Sequence, residues 1–149
     1  MPGERWGTWF WSAFDATSGS DVNQAYGFGA VELTEEHGIV RWIPSREVFT
    51  YLPDAGDFVF GGGVGVALHC GIMAAASVVL TDDEFLMTLQ EEHRFLRPVM
   101  FDETYLVTGT PDRRTRRTLW TSTTIVAESS GHLVADATSV NQFIQQPAG

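Results

Sequence analysis

The chain has 149 residues, 44% of them hydrophobic and 19% charged, and carries a net charge of −10 in which all nine basic residues are arginine. That length suits one domain with a real core, and the composition excludes a disordered chain. The acidity excludes a general binder of nucleic acid or anionic membrane, and a lone cysteine excludes an internal disulfide and fits a reducing, cytoplasmic compartment.

The opening run MPGERWGTWFWSAFD is aromatic, with no basic region followed by a continuous apolar one, so no signal peptide is expected. Residues 1–24 read as irregular or partly helical, anchored by Trp6, Trp9, Phe10, Trp11 and Phe14. AVEL and IVRWI flank TEEHG, which predicts a hairpin with Gly38 supplying a positive φ. In SREVFTYLPDAGDF, Pro53 and Gly56 break any regular element. From about Gly62 to Val79 the residues are apolar on every side, which predicts a helix buried all round rather than a membrane span.

Strand-like runs follow. FLMTLQEEHRFLRPV ends at a proline; ETYLVTGT and TRRTLWTSTTIVAE are separated by a PDRR turn; HLVADATSVNQFI follows SSG. Leu119, Thr121, Thr123 and Ile125 alternate with Trp120, Ser122, Thr124 and Val126. The order of elements predicts an α+β domain with an antiparallel sheet packed on one central helix.

The order of glycine-rich lead-in, apolar helix, Phe95-Leu96-Arg97-Pro98, arginine-rich turn and Gly131-His132-Leu133-Val134-Ala135 resembles the hotdog-fold thioesterase superfamily. It most resembles small acyl-CoA thioesterases of the phenylacetic-acid-pathway and 4-hydroxybenzoyl-CoA types. Tyr26-Gly27-Phe28 also fits. The resemblance implies a single hotdog domain over 1–149, with 1–25 as an aromatic-rich extension. It also implies a homodimer or homotetramer, an acyl-CoA or acyl-carrier-protein thioester at the subunit interface, and no cofactor or metal beyond the coenzyme A of the substrate.

The family has a His-Gly-Gly lead-in and an acid about eight residues beyond the first of those glycines. If Gly61 stands for the histidine, Gly62 is the glycine whose N–H polarises the carbonyl and Cys70 takes the acid position. If the frame slips by one, Gly61 is that glycine and His69 takes the acid position. Neither frame contains a carboxylate. Backbone N–H groups at a helix N-terminus can hold an oxyanion without a side chain, and Gly63 adjoins them as a substrate contact. His69 can serve as a base near neutral pH, whereas Cys70 in an apolar helix would be inert as a thiol. Asp54 and Asp57, just before the glycines, are alternative sources of a carboxylate. Glu91 and His93 share a strand face with Phe95, and Glu92 and Arg94 share the other, so one pair should approach the helix. Arg113, Arg114, Arg116 and Arg117 form a basic cluster suited to the phosphates of coenzyme A. These readings leave open a thioester hydrolase with an altered catalytic set, a non-catalytic acyl-thioester binding or assembly protein, and a dehydratase or isomerase.

Overall fold

The computed structural model describes residues 11–15, 21–50, 56–81 and 83–145. A 3₁₀ turn, Ser12–Phe14, and helix α1, Asp21–Tyr26, precede a hairpin of β1, Phe28–Leu33, and β2, Gly38–Trp42. A short helix α2, Arg46–Phe49, leads to the long helix α3, Gly61–Val79. Strands β3, Glu84–Phe95, β4, Tyr105–Arg114, β5, Thr118–Ala127, and β6, Leu133–Gln145, complete one antiparallel sheet of six strands in the order β1-β2-β4-β5-β6-β3. This is the expected hotdog architecture, an α+β fold with α3 laid across the inner face of the sheet.

The sequence alternation sets that inner face. Leu119, Thr121, Thr123 and Ile125 of β5 are buried, as are Ala135, Ala137, Ser139, Asn141 and Phe143 of β6. Phe14 of the N-terminal segment is fully buried in the same core, its ring tilted against Trp11 with centroids 5.7 Å apart. Trp6, Trp9, Phe10 and Asp54 lie outside the described residues.

Small residues let helix and sheet approach closely. A Cβ on Gly109 of β4 would fall 1.8 Å from the Gly71 carbonyl oxygen of α3. Gly38 belongs to the same contact, and here the sequence expectation is corrected. It has no positive φ; it starts β2, where a Cβ would meet the Ala74 carbonyl oxygen at 2.7 Å. The hairpin turn is held instead by Thr34 Oγ1, which accepts from the N–H groups of Glu36 and His37, both at 3.1 Å.

Three further expectations change. The segment after β2 contains α2, where no regular element was expected. The PDRR segment is not a turn: Pro111–Arg114 extends β4, and residues 115–117 make the turn, with Thr115 N–H donating to the Thr118 carbonyl at 2.9 Å. Finally, α3 is not buried all round. Gly61, Gly62 and His69 are exposed and Gly65, Val66 and Met73 are half-buried, while Ala67, Leu68, Ala74 and Ala75 are fully buried. Residues 62, 65, 66, 69 and 73 recur at three- and four-residue spacing, so the open positions form one stripe on the helix.

Candidate active site

That open stripe is the floor of a pocket of about 660 Å³, lined by Gly61, Gly62, Gly65, Val66, His69, Cys70 and Met73 of α3. Val22, Asn23 and Tyr26 of α1 form one wall, and Glu91, His93 and Phe95 of β3 the other. The lining is mainly apolar, with its ionisable groups gathered where β3 faces the helix.

Helix α3 begins without a side-chain cap at Phe60. The Phe60 carbonyl accepts the N–H of Gly63 at 2.9 Å and of Val64 at 3.2 Å. Among the described residues nothing accepts the N–H of Gly61 or Gly62. These two glycines therefore offer free donors at the positive end of a 19-residue helix dipole, in the pocket floor. Gly63 is buried, its N–H is occupied, and it is not part of the lining.

The carboxylate that the helix lacks comes from β3. Glu91 Oε2 lies 2.9 Å from His69 Nδ1, and Glu91 Oε1 lies 2.6 Å from His93 Nε2. As a carboxylate, Glu91 can only accept, so each ring donates to it. That assigns the Nδ1–H tautomer to neutral His69 and leaves its Nε2 lone pair free; in His93 the free nitrogen is Nδ1. The Glu91 side chain is 17% exposed and that of His69 48% exposed, so the acid is sheltered and the imidazole it orients is open to solvent.

A β-bulge puts Glu91 there. Glu84, Leu86 and Thr88 pair with Gln145, Phe143 and Asn141, so the even residues share the inward register of β6. The register then shifts between Thr88 and Gln90, leaving Leu89 as the extra residue, and Glu91, His93 and Phe95 pair with Ser139, Ala137 and Ala135. One inserted residue exchanges the two faces of a strand. Had Leu89 taken its place in the ladder and the register run on unshifted, Glu92 and Arg94 would face the helix; instead they stand on the outer face, where Arg94 pairs with Asp136. That Arg94 contact holds the Asp136 carboxyl below its ordinary range.

Cys70 is in the lining but only 5% exposed, and burial, with a smaller contribution from the Glu91 charge, pushes its thiol up to about 12. Asp57 is outside the lining and accepts from Arg46 at 3.1 Å, while Asp102 accepts from the same guanidinium at 3.0 Å. Two of the four arginines are engaged. Arg114 donates to the Val79 carbonyl and to Glu84 at 2.7 Å, and lies over the Phe143 ring; Arg113 stacks on Trp120. Arg116 and Arg117 border a second, polar pocket with Glu84 and Gln142. All four sit by the C-terminal end of α3. Val79 is ten residues beyond His69 on that helix, about 15 Å along its axis.

The family model described as "Thioesterase superfamily" matches residues 58–133, just over half of the chain. The chain belongs to the thioesterase superfamily. No curated protein sequence matches it. Among solved structures, smu.793 from Streptococcus mutans UA159 bound to acetyl-CoA is 20% identical, with a TM-score of 0.65, over 82% of this chain and 92% of that one. A hypothetical thioesterase from Streptococcus pneumoniae TIGR4 with coenzyme A is 16% identical, with a TM-score of 0.67, over 84% and 92%. The E. coli PaaI protein of the phenylacetic acid degradation operon is 18% identical, with a TM-score of 0.69, over 85% and 86%. At these identities the three share the hotdog fold with this superfamily member. In this chain the acid beside the pocket histidines, Glu91, comes from strand β3.

Proposed function

We propose that this chain hydrolyses acyl thioesters, using the His69–Glu91 pair as its base. The observation that carries this reading is the 2.9 Å contact between His69 Nδ1 and Glu91 Oε2 in an apolar pocket at the N-terminal half of α3. The carbonyl oxygen would accept from the free N–H groups of Gly61 and Gly62, which develop their full interaction only as the oxygen becomes an anion. His69 Nε2 takes a proton from a water, the water oxygen bonds to the acyl carbon, and the carbon–sulfur bond breaks. The proton then leaves His69 for the thiolate or solvent. Glu91 holds the tautomer and balances the imidazolium charge.

An acyl-CoA substrate is supported by two fold neighbours that carry acetyl-CoA or coenzyme A. On its own subunit the arginine cluster lies about 15 Å along α3 from His69. A second copy would bring its arginines to the other side of the pocket. Among the described residues strand β3 is an edge of the sheet, with Phe85, Met87, Leu89 and Phe95 each more than 40% exposed. Antiparallel pairing of two such edges lays the Glu84 end of one beside the Phe95 end of the other. Arg116 and Arg117 of the second copy would then approach the pocket mouth, so the reading includes a homodimer with coenzyme A phosphates held across the interface.

The test is a panel of acyl-CoA substrates assayed by free-thiol release. Thiol release that His69→Gln abolishes supports the proposal. Tight acyl-CoA binding without thiol release would identify a binding protein, and water addition to an enoyl-CoA without hydrolysis would identify a hydratase.

A further inference from the structure

His93 has no task in the thioester mechanism, yet three contacts fix its ring. Nε2 donates to Glu91 at 2.6 Å, and the ring meets Phe95 edge-on, with centroids 5.9 Å apart. Its other edge stands over Gly65: a Cβ on that glycine would lie 3.1 Å from His93 Cε1 and 3.3 Å from Nδ1. Gly65 is one helical turn beyond Gly61 and one turn before His69. The free nitrogen of His93 is thus level with the turn that separates the carbonyl-binding N–H groups from the base. The pocket holds two imidazoles on one carboxylate, each with one nitrogen unspent.

Leaving groups differ in what they need. A thiol has a pKa of about 8.5, so a thiolate departs near neutral pH without a proton. An alkoxide is a far stronger base, comparable to hydroxide from water at about 15.7, and its departure needs a proton in the transition state. A site built for thioesters alone has no use for a second imidazole placed this way.

We propose that the same pocket also hydrolyses oxygen esters of apolar acids, with protonated His93 as the acid that delivers its Nδ1 proton to the departing alcohol oxygen. Water attacks the acyl carbon as His69 Nε2 takes its proton. The carbon–oxygen bond breaks as His93 Nδ1–H protonates the leaving oxygen, releasing acid and alcohol. His69 then returns a proton to solvent and His93 takes one up, so neither is consumed. This rests on the thioester reading for its carbonyl site, water and base, and adds only the acid.

Three butyryl substrates separate the two readings: butyryl-CoA, p-nitrophenyl butyrate, whose phenol leaves unaided, and ethyl butyrate, whose alkoxide does not. Wild-type protein is expected to hydrolyse all three. His93→Gln should lower kcat/KM on ethyl butyrate by about 100-fold, and on the other two by about tenfold or less. Gly65→Ala favours the helix by propensity but crowds the imidazole, so it should produce the same ordering in a folded protein. Hydrolysis of butyryl-CoA without ethyl butyrate, or equal losses on all three substrates, overturns the acid role and leaves the thioester reading intact. Hydrolysis of the two esters without butyryl-CoA overturns the thioester reading and keeps the ester activity. Protein inert to all three sinks both.

Discussion

Glu91 and His69 meet through a 2.9 Å hydrogen bond although 22 residues separate them, one on a sheet-edge strand and one on the central helix. The pairing restores a carboxylate to a helix that has none in its first three turns. It also makes the acid an orienting group, because Glu91 touches the substrate space through the imidazoles it holds. Removing the base should cost about 10²- to 10⁴-fold in kcat, so His69→Ala and His69→Gln should both fall in that range. Glu91→Gln keeps a hydrogen-bonding side chain but can present an N–H to the ring and select the wrong tautomer. Its kcat should fall at least about tenfold, with KM little changed. Wild-type turnover in Glu91→Gln would remove the carboxylate from the mechanism.

The fold was legible in the sequence for plain physical reasons. An apolar run of helical length must be enclosed, and β-branched residues alternating at period two must face both ways across a sheet. The free glycines and His69 were legible from their place at the start of that run. Whether Glu91 or Glu92 faces the helix was not. Leu89 bulges without glycine or proline to mark it, and one residue of slip decides the face. The fate of Arg114 was hidden for another reason: its partner Glu84 lies 30 residues away in the chain and meets it only in the folded sheet.

The bulge gives a prediction in which chain length matters more than side-chain chemistry. Deleting Leu89 alone restores regular alternation and should keep Glu91 opposite Ser139, whereas deleting Leu89 and Gln90 together should slip the rest of β3 by one position, turn Glu91 and His93 outward and bring Glu92 and Arg94 inward, abolishing hydrolysis. Leu89→Ala keeps the extra residue and should retain turnover within a few-fold. The paired assays, each with a circular-dichroism check of folding, are sufficient. Equal activity loss in the double deletion and in Leu89→Ala would point to the leucine side chain and not to register.

Cys70 lines the pocket but should take no part in turnover. With burial pushing its thiol up to about 12, Cys70 stays protonated at pH 8. Cys70→Ala should leave kcat within about threefold, and iodoacetamide should not label native protein at that pH. The same burial predicts an alkaline weakness. The folded state holds the proton more tightly than the unfolded one, whose thiol titrates near 9. The stabilisation is complete below that value and is lost as pH rises towards 12, at up to about 1.4 kcal/mol per pH unit. Cys70→Ala should therefore flatten the decline in melting temperature above pH 9. An unchanged slope would place the alkaline transition elsewhere, with Tyr105, whose hydroxyl is also raised by burial, the next group to replace.

Among the described residues Arg116 and Arg117 are left unengaged near the far end of α3, beside Glu84 and Gln142. Arg113 stacks on Trp120 and Arg114 is tied to Glu84 and Val79, so their removal would perturb the sheet as well as any ligand. Arg116 and Arg117 are the clean test. If a second copy brings them to the pocket mouth, Arg116→Ala with Arg117→Ala should raise KM for acyl-CoA about tenfold or more. The effect on kcat should be small, because a phosphate contact is equal in ground and transition states. A simple pantetheine thioester lacks those phosphates and should be unaffected. The KM effect should also shrink as salt screens the charges. Met87→Lys on the β3 edge should reduce the dimer population in light scattering and raise KM for acyl-CoA in the same direction, since both changes withdraw the same arginines. A monomeric wild type at micromolar concentration, or equal KM increases with the pantetheine thioester, would detach the arginine cluster from the active site.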